Sequence, residues 1–236
     1  NTDLCRCRFA VMNPELTYTL PDYQTQCGCT DIMMHTMERY FNMSENMELT
    51  DGISEALIKT VMKHSKILKE HPDCYESRAE VMWASSLSHN GLTGCGTDGG
   101  DWACHQLEHE IGGMFDVAHG AGLAAVWGSW ARYVYKARPE RFAKFARNIF
   151  NIQETDDEKA AVAGIEAMEN YYRSVGMPTS LCELGIHATE EQIKEMADKC
   201  SFYGKRTVGV MKKIGAPEAA EIYRMSNDKS IPLYSR

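Results

Sequence analysis

Hydrophobic positions recur at three- and four-residue intervals along most of this chain, the spacing of helices with one buried face. Ile53, Leu57, Val61 and Leu68 share such a face, and Val81, Met82, Trp83 and Leu87 mark another. Breakers and caps divide the pattern. Pro21-Asp22 opens a helix that runs to about Asn42, with Met33, Met37 and Tyr40 at helical spacing. The helix that begins near Ile53 ends before Pro72, and a third spans Tyr75 to His89. Asn90 to Gly100 reads as a loop. A fourth helix follows with a run of histidines, and a fifth covers Gly120 to Lys136. Pro139 opens a sixth, to about Phe150. Asp156-Asp157-Glu158 puts acid at the positive end of a seventh, which runs to Ser174. Thr189-Glu190-Glu191-Gln192 has the pattern of a capping box for an eighth, through about Cys200, and a last helix spans Pro217 to Met225. The pattern predicts an all-α chain.

The N-terminus departs from it. Arg8-Phe9-Ala10-Val11-Met12 reads as a short strand, broken by Asn13-Pro14, and Leu16, Tyr18 and Leu20 then alternate with threonines. A lone strand can neither pair its backbone nor bury itself. Residues 1–12 therefore read as the last piece of a preceding unit. The chain opens on Asn rather than Met, which predicts a cut or processed piece of a longer protein.

Composition narrows the class. The 236 residues are 44% hydrophobic, enough for a sizeable core. A net charge of -8 argues against nucleic acid or an anionic membrane as partner. No run approaches the length of a membrane span, and the opening residues show no signal-peptide pattern. Nine scattered cysteines, an odd count, read as reduced thiols of a cytoplasmic protein. The pairs Cys5/Cys7 and Cys27/Cys29 fit no strong zinc spacing, and the second lies inside a predicted helix. Gly94 to Gly99 spells G-x-G-x-x-G, but a helix rather than a strand precedes it, which excludes a dinucleotide fingerprint.

The candidate chemistry lies in the histidines. His105, His109 and His119 are three of eight in the chain and fall within fifteen residues. His105 and His109 stack on one helix face, as do Asp31 and His35 upstream. Asp31 and His35 offer two corners of a metal site, which His105 and His119 could complete. One carboxylate with imidazoles suits Zn²⁺ or Fe²⁺ better than Mg²⁺ or Ca²⁺. Glu38, Glu108 and Glu110 are candidates to orient the rings, by spacing alone. Trp102, Phe115 and Trp127 are candidates for pocket or core.

These motifs are specific when taken together. Asn13-Pro14-Glu15-Leu16-Thr17-Tyr18-Thr19-Leu20-Pro21, Asp31-x-x-x-His35, Gly100-Asp101-Trp102-Ala103 through His105-x-x-x-His109 to Val117-Ala118-His119-Gly120, Gly176-Met177-Pro178-Thr179 and Glu183-Leu184-Gly185-Ile186 run in order along the chain. The whole resembles the C-terminal part of the iron-containing (group III) alcohol dehydrogenases, nearest their butanol dehydrogenase-like branch. The resemblance implies an all-α helical metal-binding domain over 13–236, of the dehydroquinate synthase-like fold. It makes 1–12 the final strand of an α/β nucleotide-binding domain with no counterpart here. It implies Asp31, His35, His105 and His119 as ligands of Fe²⁺ or Zn²⁺, with His109 lining the cleft without being a primary ligand; the i+4 position of His109 beside His105 makes it the candidate catalytic residue, relaying a proton near the substrate oxygen. It implies NAD(H) or NADP(H), bound mainly by the other domain, and metal-assisted hydride transfer between a small primary alcohol and its aldehyde. Dimers are common in the family, so a homodimer is an expectation here.

Two rival readings stand beside it. His105-Gln106-Leu107-Glu108-His109 fits H-x-x-E-H, the inverted zinc metallopeptidase signature, with His105 and His109 as ligands and Glu108 as base. That reading leaves Asp31, His35 and His119 without a role. The other is a non-catalytic helical module whose histidines are packed or solvated.

Overall fold

A computed structural model of the chain describes residue 4 and residues 7–227. Among them are nine α-helices: α1 (Asp22–Tyr40), α2 (Glu48–Glu70), α3 (Tyr75–His89), α4 (Ala103–Phe115), α5 (His119–Val134), α6 (Pro139–Phe150), α7 (Asp157–Ser174), α8 (Glu190–Cys200) and α9 (Ala216–Asn227). The capping box forms as the sequence predicts: the Thr189 hydroxyl accepts from Gln192 N–H, and the Gln192 side chain accepts from Thr189 N–H. The segment that spells G-x-G-x-x-G is a loop between helices α3 and α4.

The core forms around α5. This helix is apolar on every side, and residues 120–131 are all buried. A helix of that composition is stable only in the middle of a bundle. Helices α1, α4, α7 and α9 pack around it. Trp127 and Trp130 of α5 are fully buried beside Phe41, Phe142, Phe145 and Tyr172. Each large side chain so buried contributes about 1.5–3 kcal/mol relative to exposure. α1 meets α5 at Gly120, where an added Cβ would sit 2.1 Å from the Cys27 carbonyl oxygen. Any side chain at Gly120 would force the two helices apart.

The structure corrects the sequence reading in three places. The Arg8–Met12 segment is irregular rather than a strand, with Phe9 and Val11 84% and 86% exposed. No partner strand exists among the described residues, so its backbone has nothing to pair with. The expected alternation from Leu16 is instead a 3₁₀ turn over Pro14–Thr17, capped by Asn13, whose Oδ1 accepts Glu15 N–H at 3.1 Å. α2 starts about a turn earlier than Ile53, at Glu48. Gly52 hides that extension in the sequence, and tertiary contacts secure it. Part of the proposed 1–12 remnant (residues 1–3, 5 and 6, including Cys5) and the 228–236 tail lie outside the described residues.

The main contact securing the α2 start is Asp51, which is 2% exposed. Arg141 of α6 grips both its oxygens at 2.5 Å, and Lys144 donates to it at 2.6 Å. Arg141 also donates to the Tyr40 carbonyl, so one guanidinium ties α1, α2 and α6 together. Burial pushes the Asp51 carboxyl up, but Arg141 and Lys144 outweigh it and hold it below the ordinary carboxylate range.

Removing one partner of a buried pair strands the other charge, at a cost of about 3–5 kcal/mol. Asp51→Ala is therefore expected to lower stability by that order in urea unfolding at pH 7. A carboxyl with a depressed folded pKa stabilises the fold above its unfolded pKa and loses that contribution as pH falls through the folded value. The gap between parent and variant should thus be present at neutral pH and shrink on acidification below about pH 4, near the unfolded Asp value. An equal gap at pH 7 and pH 3 would show that Asp51 acts by packing rather than by charge.

Candidate metal centre

Three helices and one exposed helix end converge on Asp31. Asp31 and His35 lie one turn apart on α1, His105 is in the first turn of α4, and His119 is the first residue of α5. Backbone contacts set the α4 end. Asp101 N–H donates to the Glu38 carbonyl of α1 at 2.7 Å. The Asp101 carboxylate accepts from Ala103 N–H, and at 2.8 Å from both Val210 and Met211 N–H. Trp102, just before α4, adopts a left-handed backbone (φ +61°) and its indole N–H donates to Gly99 O at 2.6 Å. A bulky residue held there is strained, a feature that clusters at functional sites. α4 ends at Asp116, also left-handed (φ +51°), and the chain turns at once into α5.

The result is a set of nitrogens around one oxygen. The Nε2 atoms of His35, His105 and His119 lie 3.6, 3.5 and 3.5 Å from Asp31 Oδ1. Metal–ligand bonds of about 2.0–2.1 Å in a tetrahedron give ligand-to-ligand edges of about 3.3–3.4 Å, close to these separations. Asp31, His105 and His119 place one donor atom each within 4.8 Å of one another.

Neighbouring carboxylates choose the tautomers. His105 Nδ1 is 3.1 Å from Glu38 Oε1, which also accepts the His105 backbone N–H at 2.9 Å. His119 Nδ1 is in close contact with Glu108 Oε2. A carboxylate can only accept, so each Nδ1 carries its proton and each Nε2 turns a lone pair toward Asp31. Lone pairs facing a carboxylate oxygen repel unless a proton or cation lies between them. Asp31 Oδ1 and His105 Nε2 are both buried without a hydrogen-bond partner. A cation would satisfy these atoms together, so the residues fit a divalent metal.

The electrostatics agree. Burial raises the Asp31 carboxyl, but His105, His35 and His119 outweigh it and hold it below its ordinary value. Burial drives His35 down to about 3, reinforced by His105, His89 and Arg39 against the pull of Asp31. Burial opposes a charge on His105, yet Asp31 and Glu38 bring it up to about 9. Without a cation, a proton on His105 takes the place between the two carboxylates.

The remaining candidates sort by position. His109 is exposed, with its ring 5.6 Å from that of His119 and 6.3 Å from that of His105. It lines the site beside the ligand cluster, and Glu108, His109 and His119 form a further group with donors within 4.8 Å. Burial lowers the His109 pKa against the pull of Glu108, with His119, His105 and Arg206 adding to it. Trp102 forms a wall, its ring 5.4 Å from His35 and 5.2 Å from His105, with the Arg39 guanidinium 4.8 Å from its centre. Trp127 is core, and Phe115 packs at the core's edge. Glu38 and Glu108 contact ligand rings. Among the candidate orienting acids, Glu110 has no ring contact here. Sequence reasoning missed His89, whose Nε2 is 3.8 Å from Asp31 Oδ2 and whose ring centre is 3.9 Å from that of His35. It ends α3, and no spacing rule connects it to residues 31 or 35. A cavity of about 630 Å³ lined by Asn46, Glu48, Glu55, Lys144 and Asn148 shares no residue with the cluster.

An all-α domain with one carboxylate under three imidazoles defines the class as a helical domain with a candidate metal centre. The sequence comparison gives the family: the description "Fe-containing alcohol dehydrogenase family, C-terminal" matches residues 25–225, and the chain belongs to that family. NADH-dependent butanol dehydrogenase A of Clostridium acetobutylicum is 37% identical over 226 residues, covering 95% of this chain and 57% of the relative. NADPH-dependent aldehyde reductase YqhD of Escherichia coli is 32% identical, covering 91% of this chain and 55% of the relative. The crystal structure of NADH-dependent butanol dehydrogenase A from Thermotoga maritima superposes with a TM-score of 0.85 at 36% identity, covering 91% of this chain and 55% of that one. The chain thus spans a little over half the length of these relatives. The peptidase reading is not favoured: Glu108 faces His119, and His105 turns its free nitrogen to Asp31.

Partners that orient metal-bound histidines are worth about 10–100-fold in metal affinity. Glu108→Ala is expected to weaken metal binding by that factor, read by competition with a chromogenic chelator. An H-x-x-E-H peptidase would keep its metal unchanged in this variant and lose hydrolysis alone.

Proposed function

We propose that this chain is the metal-binding half of an NAD(P)-dependent alcohol dehydrogenase that interconverts small primary alcohols and aldehydes. The observation that carries the reading is the convergence of three histidine Nε2 atoms on Asp31 Oδ1, in a chain of this family. The names of the relatives support the substrate class and a nicotinamide cofactor, NADH in some and NADPH in others. The nucleotide would be held mainly by a preceding domain, of which residues 1–12 would be the end. Exposed Phe9 and Val11 are consistent with that assignment. Free cysteines support a cytoplasmic setting, and no helix among the described residues is long and apolar enough to cross a membrane. A homodimer is the assembly expected for the family.

Asp31, His35, His105 and His119 would hold the cation, with Glu38 and Glu108 fixing the ring tautomers. A bound Zn²⁺ or Fe²⁺ would supply Lewis acidity toward a hydroxyl or carbonyl oxygen. Trp102, its ring against His35 and His105, would shield one side of the site. His109, its pKa lowered by partial desolvation and by the neighbouring imidazoles and Arg206, would accept a proton beside the substrate oxygen.

Elemental analysis of the purified chain tests this. One tightly held equivalent of zinc or iron is expected in the parent and in His109→Ala, and less than about a tenth of that in Asp31→Ala, since removing a first ligand outweighs the 10–100-fold cost of losing an orienting one. Full occupancy in Asp31→Ala would overturn the four-ligand assignment. A metal-free parent would favour the helical module.

A further inference from the structure

Asp31 has two oxygens, and the histidines divide between them. His35, His105 and His119 face Oδ1, while His89 faces Oδ2 at 3.8 Å. His89 is the last residue of α3 and no part of the ligand set proposed above. Its ring lies 3.9 Å from His35, tilted by 38°. Asp31, His35 and His89 bring one donor atom each within 4.8 Å of one another, a trio that shares Asp31 and His35 with the ligand set proposed above.

The tautomer of His89 is fixed as firmly as those of His105 and His119. Its Nδ1 lies 2.9 Å from the Ser85 carbonyl oxygen and 2.7 Å from the Ser88 hydroxyl, which itself donates to Ser85 O at 2.9 Å. A carbonyl can only accept, so Nδ1 carries the proton. Nε2 is left with a lone pair aimed at Asp31 Oδ2. Nothing on this side has the role of Glu38 or Glu108; the ring is held by α3's own last turn. Arg39 secures that turn to α1, donating at 2.8 Å to both His35 O and Ser88 O. The same conflict of lone pair and carboxylate oxygen therefore recurs on the solvent side of Asp31, where His89 is 40% exposed.

We infer that Asp31 Oδ2 and His89 Nε2 form a second, weaker seat for a borderline divalent cation such as Zn²⁺, with Asp31 bridging it to the first and the ring of His35, whose nitrogen serves the first, stacked beside it. An imidazole with a carboxylate oxygen suits Zn²⁺ better than Mg²⁺ or Ca²⁺, which take oxygen ligands. The side exposure of His89 leaves the other coordination positions to water. Bridging by a carboxylate is the usual device of paired-metal sites, whose ions stand about 3.5–4 Å apart. The second seat is weaker because it shares the charge of Asp31 with the first, and because its outer ligand lies in solvent. The inference rests on the reading of Asp31 as a metal ligand.

The test is a Zn²⁺ titration of the metal-free, untagged chain, followed by calorimetry and by elemental analysis after gel filtration. The parent should show one tight and one weak event. His89→Ala and His89→Gln should keep the tight event and lose the weak one, its affinity falling at least about tenfold. His119→Ala should do the reverse, and Asp31→Ala should lose both. His71→Ala, at an exposed histidine elsewhere, should leave both in place. A single event in the parent, unchanged in the His89 variants, overturns the second seat and leaves the first standing. A weak event that survives in His89→Ala, or disappears in His71→Ala, shows general surface binding and also overturns it. No binding in the parent overturns both sites.

Discussion

The geometry of this domain turns on one carboxylate oxygen. Asp31 Oδ1 is buried without a hydrogen-bond partner and has three imidazole nitrogens within 3.6 Å. A charged group in that position is costly unless an opposite charge meets it. Two of the imidazoles are turned by carboxylates of their own, so they cannot donate to Asp31 while neutral. The protein has thus placed acceptors against an acceptor and held them there. Such an arrangement is stable when a cation completes it, or when a proton does so on His105. Metal and proton compete for one position.

Holding four candidate ligands from three helices to within a few tenths of an ångström requires a rigid frame. Two close backbone approaches provide it. Gly120 lets the start of α5 lie against the Cys27 carbonyl of α1, which puts His119 beside Asp31. Asp101 N–H on the Glu38 carbonyl puts the start of α4 on the other side of α1, which delivers His105. Glu38 serves twice: its carbonyl anchors the approach to α4 and its carboxylate orients the His105 ring. The contacts that fix the fold and those that fix the ligand atoms are therefore largely the same contacts.

Most of the fold was legible in the sequence because its boundaries carry their own chemistry. Pro139 at the start of α6, Asp156 before α7 and Thr189 before α8 mark helix starts that need no tertiary information. The misread places depend on distant partners. Arg8–Met12 has strand-forming residues but no strand to pair with. The first turn of α2 is held by Arg141, some ninety residues away. The candidate ligands share this division. Asp31 and His35 are readable as one helix face, and the clustering of histidines put His105 and His119 forward before the family motif joined the four. His89 was invisible: it reaches Asp31 only because α3 packs along α1 and Arg39 joins their ends.

The exposure of the histidines sets an order among them. His105 is 5% exposed and closed in by Glu38, whereas the side chains of His119 and His89 are each 40% exposed. A cation reaching Asp31 from solvent would meet the outer rings first and His105 last. It would reach its final position only once a proton on His105 had left, so the buried end of the site would govern how tightly a metal is held. The open end, with His109, Trp102 and His89 around it, governs what else can come near it. One carboxylate serves both ends because it offers a different oxygen to each, and α1 presents it from between α2, α3 and α5, with Glu38 hydrogen-bonded to His105 at the start of α4.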